Sequence, residues 1–321
     1  MAGDERTVEL LIVGGGPAGL TAGLYARRSE LEVVLLERGL PGGQLLNTEL
    51  IDDYPGLPAI DGRELAERMT KHAEKFGLEI VTGTVHGIKK LEDGDFRVTT
   101  DEGLLFRARA VILTAGGTPN KLEVPGEEEY SGRGVSYCAI CDGAFFKGET
   151  IAVAGGGDAA AEEAEFLTRY VEKLYLIHRR DELRAAKLLQ KRVFENPKIE
   201  IIWDTVIEEV IGDVRGMKGL RLRNVKTDAE STLDATGLFV FIGFRPNTGL
   251  LEDHAEHDAG GYLISDRDMR SSIPGLFVAG DVRAQLTRQI TTAVGDATTA
   301  IIAAEKYLTD LKDGRVAAGA N

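Results

Sequence analysis

Cysteine is nearly absent from this chain. Of 321 residues only Cys138 and Cys141 carry thiols, too few for the disulfide framework that staples a small secreted domain. Long apolar runs are missing too: no stretch approaches the roughly 18 consecutive apolar residues of a membrane helix. The opening MAGDERTVELLIV sets charges where a secretory leader needs its apolar run. These absences predict a protein that neither spans a membrane nor is exported, with a cytoplasmic location. Basic residues are in deficit, 38 Lys and Arg against 52 Asp and Glu. The resulting formal charge of −14 repels phosphate backbones and argues against nucleic acid as a partner. Zinc ligands are scarce as well. The five histidines include one spaced pair, His254 and His257, in the acidic stretch LEDHAEHDAGG, so a four-ligand site has a poor supply and no metal is expected.

What is present is a fold written twice. The length suits two domains. VELLIVGGGPAGLTAGLYARR reads as strand, glycine turn and helix, and EVVLLE as a second strand, together one βαβ unit. Gly14, Gly16 and Gly19, with Gly15, Pro17 and Ala18 between them, fit G-x-G-x-x-G, and Glu37 closes the second strand. One glycine makes the tight turn, one admits backbone to a pyrophosphate, and one lets helix pack on strand. TIAVAGGGDAAAEEAEFL repeats the unit with Gly155, Gly157 and Ala160, Asp158 and Ala159 lying between, and KLYLIH is its second strand, ending at His178. Gly14 to Gly155 and Glu37 to His178 are both displaced by 141 positions. A third correspondence joins AVILTAGGTPN and GLFVFIGFRPN, each a strand running into G-x-x-P-N at Asn120 and Asn247. The repeat therefore spans whole domains.

Two dinucleotide folds suggest two dinucleotides, told apart by their second strands. The Glu37 carboxylate can accept from both hydroxyls of an adenosine ribose and repels a 2′-phosphate, so the first site suits FAD or NAD. In the second, HRRDELR replaces the acid with His178, Arg179, Arg180 and, one helical turn on, Arg184. Guanidinium groups pair bidentately with phosphate, which suits the 2′-phosphate of NADPH. Near the end, IPGLFVAGDV reads as a buried strand ending in Asp281, and a long helix is expected to begin near Arg288 and Gln289. Its positive N-terminus would stabilise a reduced, anionic isoalloxazine. This segment follows the second unit yet completes the first. The expected architecture is α/β, with two Rossmann-like dinucleotide-binding domains, the second inserted into the first. Residues 1–117 and 246–321 form an FAD domain, and 118–245 an NADPH domain that carries the cysteines.

The Cys-x-x-Cys pair admits zinc binding, a structural disulfide or redox exchange. So short a structural disulfide would constrain the unfolded chain little. Exchange suits the spacing, because one thiol attacks a substrate disulfide and the other resolves the mixed disulfide. The charge on Asp142 disfavours a second anion beside it, so it fits a proton donor or acceptor better than a device for lowering a thiol pKa.

With GGQL, DDYPGLP, CAICDG, GGGDAAAEEAEFLT, HRRDELRA, FIGFRPNT, FVAGDV and RQI added to the first glycine motif, the chain resembles the low-molecular-weight thioredoxin reductases over nearly its whole length. That resemblance implies an NADPH-dependent flavoprotein, homodimeric, which reduces thioredoxin or a thioredoxin-like protein. It implies that Cys141 faces the flavin, that Cys138 attacks the partner and that Asp142 serves as acid/base. It implies FAD contacts from the first glycine turn, Glu37, Gly43, Gln44, Asp53, Gly280, Asp281, Arg288, Gln289 and Ile290. It further implies an inserted domain that rotates between two poses about segments near Pro119 and Pro246. Asp53 stands where the family usually has Asn, Ala159 where a hydroxyl is common, and Ile290 where Ala is usual. A dithiol oxidase on the same scaffold, or a redox-sensing module that binds both nucleotides, are the competing readings.

Overall fold

The computed structural model describes residues 5–48, 51 and 53–315. They divide into two compact units. Unit one takes its described residues from 5–48, 54–118 and 245–315, and unit two from 51, 53 and 119–244.

The chain enters unit one through β1 (Arg6–Val13), α1 (Pro17–Arg28) and β2 (Val33–Glu37), followed by α2 (Gly62–Lys75) and β3 (Glu79–Thr82). Three further strands follow, β4 (Val85–Lys90), β5 (Phe96–Thr100) and β6 (Leu105–Leu113). It leaves through β7 (Gly117–Pro119) into unit two, which opens with β8 (Val135–Ser136), the single-turn α3 (Ala139–Asp142) and β9 (Thr150–Gly155). After α4 (Asp158–Leu167), β10 (Lys173–Ile177), α5 (Lys187–Glu195) and β11 (Ile199–Ile202) come β12 (Thr205–Asp213), β13 (Gly216–Asn224), β14 (Glu230–Asp234) and β15 (Gly237–Phe241). The return passes through β16 (Phe244–Pro246) to β17 (Leu276–Val278) and α6 (Ile290–Lys312).

Each unit is built on a sheet with a parallel core, which β5 and β4 extend antiparallel in unit one. In unit one the order is β3-β2-β1-β6-β5-β4, and β6 pairs with β5 along its first half and with β17 along its second. In unit two the order is β11-β10-β9-β15-β8, beside an antiparallel sheet β12-β13-β14. The repeat extends to strand register: Leu10 pairs with Val33 and Ala110 in unit one, while Ile151 pairs with Leu174 and Gly237 in unit two. Strands covered on both faces need apolar residues at every position. In β1, accordingly, Leu10 and Ile12 join the core under α1 and α6, and Leu11 and Val13 the core on the opposite face. In β9, Ile151 and Val153 pack with Ala160, Ala164 and Leu167 of α4, whereas Ala152 and Ala154 pack with Val210 and Leu220 of the antiparallel sheet.

Two expectations are corrected in detail. The buried strand expected to end at Asp281 stops at Val278, and Asp281 sits in a 3-10 turn, Gly280–Val282, entered through Gly280 at φ 74°. The arginines expected a helical turn apart lie instead on an irregular loop, 178–186, and α5 begins only at Lys187. There Leu183 and Ala185 turn inward and Arg184 outward, an alternation proper to extended chain.

β7 and β16 form a two-stranded sheet. Within unit two, Asn120 donates its backbone N–H to Gly243 O and its side-chain amide to Ile242 O. Within unit one, Asn247 does the same to Gly116 O and Ala115 O. The two G-x-x-P-N segments thus make the same pair of bonds, each asparagine gripping the glycine turn of the counterpart segment.

Candidate redox disulfide and nucleotide sites

Cys138 and Cys141 form a disulfide. Cys138 caps α3: its Sγ accepts from the Cys141 N–H at 3.2 Å. Asp142 ends the same turn. It is held by Ser136, buried to 5% exposure, whose hydroxyl donates to Asp142 Oδ2 and accepts from the Cys138 N–H at 3.1 Å. One hydroxyl therefore ties the acid to the backbone of Cys138. Behind it, Tyr137 donates its hydroxyl to Glu127 at 2.8 Å. Glu127, 2% exposed, also accepts from the N–H groups of Leu122 and Glu123. Burial first, then the Glu127 carboxylate, hold the Tyr137 phenol above its ordinary range, so it stays a donor. Ser136 and Glu127 were not foreseen from the sequence; only their nearness to the Cys-x-x-Cys stretch hinted at them.

The two glycine turns repeat each other. Gly14, at φ 107°, has no room for a side chain, since a Cβ would lie 2.5 Å from Thr114 O. Gly19 would set one 1.8 Å from Gly14 O, so α1 can approach β1 only without it. Gly16 and Gly157, the N-caps of α1 and α4, place no side chain over the first-turn amides, and a Cβ at Gly157 would meet nothing within 4 Å. Such open helix N-termini suit pyrophosphate. Pro17 begins α1, as its fixed φ and missing N–H allow, and Ala18 is buried behind it. Glu37 accepts from the Gly15 N–H at 2.6 Å and the Gly39 N–H at 3.1 Å. At the corresponding positions of unit two, His178 packs against Gly156, where a Cβ would lie 2.2 Å from the ring. Gly156 is a further position that the sequence reading passed over, although its displacement from Gly15 is the same 141 residues. Burial lowers the His178 pKa, opposed by hydrogen bonding to the Glu182 and Gly155 backbone and helped by the Arg184 and Arg180 charges.

Elsewhere in unit one, Gly43 and Gly16 face each other across a gap that a Cβ would narrow to 3.0 Å, and Gln44 donates to Gly117 O at 3.0 Å. Asp281 is raised to about 6 by burial, which the Arg288 charge only partly offsets and Asp296 reinforces. Arg288 stacks on the Tyr262 ring, 4.0 Å from guanidinium carbon to centroid. Gln289 caps α6 in a reciprocal box with Thr292, and Ile290 opens the helix half-buried. The Asp296 carboxylate binds Arg283 at 3.0 Å and the Gly280 N–H at 3.2 Å, fixing the turn that presents Asp281. Asp53 is exposed and is grouped with unit two. In unit two, Asp158, Ala159 and Ala160 begin α4. Arg179, Arg180 and Arg184 are all exposed, and among the described residues none of the three has an ion-pair partner. The Asp181 carboxylate beside them is instead taken up by Lys226 at 2.8 Å.

The pyridine nucleotide-disulphide oxidoreductase family matches residues 8–297. This chain belongs to that family. It is 44% identical over 314 residues to a thioredoxin reductase of Listeria monocytogenes, with 98% of each chain covered. To one of Bacillus subtilis it is 41% identical over 311 residues, covering 97% of this chain and 98% of the relative. Among solved structures, a thioredoxin reductase from Streptococcus pyogenes is similar with a TM-score of 0.91 at 45% identity, covering 96% of this chain and 100% of that one. As a pyridine nucleotide-disulphide oxidoreductase, the chain is a redox enzyme that uses FAD and NADPH. Two buried polar atoms without a hydrogen-bond partner among the described residues, Arg288 Nε in unit one and His178 Nε2 in unit two, sit among the residues expected to hold these groups and fit both.

Proposed function

We propose that this chain is an NADPH-dependent flavoprotein reductase that passes electrons through Cys138 and Cys141 to the disulfide of thioredoxin or a thioredoxin-like protein. The observation that carries the reading is the Cys138–Cys141 disulfide with Asp142 tied beside it by Ser136. In this reading unit one is the FAD domain. Its glycine turn would hold the pyrophosphate, Glu37 the ribose, and Gly43, Gln44, Gly280, Asp281, Arg288, Gln289 and Ile290, with Asp53, the rest of the molecule. Unit two is the NADPH domain, with Gly155, Gly157, Asp158, Ala159 and Ala160 under the pyrophosphate and His178, Arg179, Arg180 and Arg184 around the 2′-phosphate. Bound FAD supplies the two-electron exchange between nicotinamide and disulfide.

The chain's own groups do the rest. The Cys138 thiolate attacks one sulfur of the partner disulfide and forms a mixed disulfide. Cys141 then attacks Cys138 Sγ, re-forming the internal bond and releasing the partner as a dithiol. Asp142 moves a proton to the departing sulfur and accepts one from Cys141. Exposed Ile140 and Phe145 beside the pair offer apolar surface to a protein substrate. The unpaired arginines favour this reading over a dithiol oxidase, which has no need of a nicotinamide. We also propose a homodimer in the cytoplasm, as the family resemblance implies; no helix among the described residues is long and apolar enough to cross a membrane.

The test is an anaerobic titration of the purified protein with NADPH and, separately, NADH, followed by thioredoxin. Flavin bleaching should favour NADPH, and thioredoxin should restore the yellow colour. In Cys138→Ser bleaching should persist while reoxidation by thioredoxin falls at least a hundredfold. Unimpaired reoxidation in that variant would refute the assignment.

A further inference from the structure

Gln190 is a polar side chain buried to 8% exposure in the middle of α5. Its amide Nε2 donates to Leu183 O at 3.0 Å and to Ala185 O at 2.7 Å, the carbonyls on either side of Arg184. From the opposite side, the N–H groups of Arg184 and Ala185 both donate to Gly156 O, at 2.7 and 3.2 Å, and the Ala186 N–H donates to Asp158 Oδ1 at 2.7 Å. The backbone at Arg184 is therefore fastened on one side to the glycine turn and on the other to α5. Loop 178–186 has no regular secondary structure, so its register rests on such ties. Leu183 and Ala185 are buried and Arg184 is exposed between them. A slip of one residue would turn the guanidinium inward.

We propose that Gln190 is a positioning residue for 2′-phosphate recognition: it holds Arg184 aimed outward beside the open N-terminus of α4, and so sets the preference for a 2′-phosphorylated adenosine. The proposal rests on the NADPH reading of unit two given above. A guanidinium fork binds phosphate well only when its geometry is fixed beforehand, because ordering a loose loop on binding consumes the affinity gained. The local charge is arranged to match. Asp181, within the loop, and Asp204 share Lys226, at 2.8 and 3.0 Å, so neither carboxylate neutralises the arginines. Gln190 itself touches no nucleotide and acts through Arg184.

The experiment measures binding of adenosine 2′,5′-bisphosphate and of AMP, which differ only in the 2′-phosphate, to the intact protein by calorimetry. The parent should bind the bisphosphate at least tenfold more tightly. Gln190→Met keeps the unbranched helix-forming chain and loses the amide; it should cut that preference about fivefold and leave AMP binding unchanged. Adding Gln190→Met to Arg184→Ala should change the preference no further, since the two residues act as one. Should Gln190→Met fail to fold, Gln190→Glu keeps the contact with Lys187, 3.5 Å away, loses the donors and gives the same readout. Equal weakening of both ligands, an intact preference, or an additive loss in the Arg184→Ala background would overturn the proposal. A parent with no preference would instead overturn the NADPH reading, and this proposal with it.

Discussion

Burial opposes charge on the Asp281 carboxyl more strongly than Arg288 offsets it, and the group is raised from 3.8 to about 6. A raised acid is stabilising while it stays neutral: its contribution is complete below about pH 4 and is lost as the pH climbs through 6. The loss amounts to roughly 3 kcal/mol at 1.4 kcal/mol per pH unit. Asp281→Asn removes the titration. The flavin-free variant should show a flatter stability between pH 4 and 7, and above pH 6 should exceed the parent by about 2 kcal/mol in urea denaturation, while its flavin content falls. An unchanged slope would show that another group is responsible. At this scale Cys138, Cys141, Asp142 and the arginines could be read directly, because each stands inside a short motif whose chemistry is local. Ser136 and Gln190 could not, and Gly156 only through its displacement of 141 residues from Gly15. Ser136 matters through a carboxylate six residues on, Gln190 through carbonyls reached only when α5 folds back on the loop, and Gly156 through a ring 22 residues away.

The βαβ units show what a missing methyl controls. At Gly19 an added Cβ would lie 1.8 Å from Gly14 O and 2.9 Å from the Thr114 hydroxyl, which is itself bound to Val13 O and Gly14 O. Neither neighbour can withdraw. In unit two the equivalent position is Ala160, and the strain is moved to Gly155, where a Cβ would strike the Ala160 methyl at 2.5 Å. Gly19→Ala should therefore displace α1 and destabilise the protein by about 3 kcal/mol or more, with loss of bound flavin. Ala160→Gly should cost only about 1–2 kcal/mol, from helix propensity and a lost methyl. Denaturant titrations with flavin content as a second readout would separate the two; equal costs would refute the distinction. Elements of this kind were legible because glycine spacing and apolar strands announce them. In the loop at 178–186, Arg180 and Arg184 have helical spacing, but burial of Leu183 and Ala185 on alternate positions decides an extended conformation.

For the whole molecule, the decisive fact is that each unit holds its own cores. The two clusters of unit one draw on β1, β2, β6, β17, α1 and α6, and the two of unit two on β9, β10, β15, α4 and the antiparallel sheet; among the described residues no cluster draws on both. Unit two is also one continuous run from Pro119 to Phe244, apart from residues 51 and 53. Its ends are already joined, since the Asn120 N–H donates to Gly243 O at 2.9 Å. A domain of this size with its own core and adjoining ends can fold alone. Residues 119–244 expressed by themselves should unfold in one cooperative transition and bind adenosine 2′,5′-bisphosphate within about threefold of the intact protein, because every residue proposed to hold it lies inside the run. Residues 1–118 joined through a short glycine linker to 245–321 should in turn stay yellow. Their strands β1, β6 and β17 come from three separate segments yet pair in one sheet, and β7 and β16 leave the two cut ends side by side. A colourless linked fragment, or a 119–244 fragment that lacks a cooperative transition, would show that the fold depends on more than the cores named here.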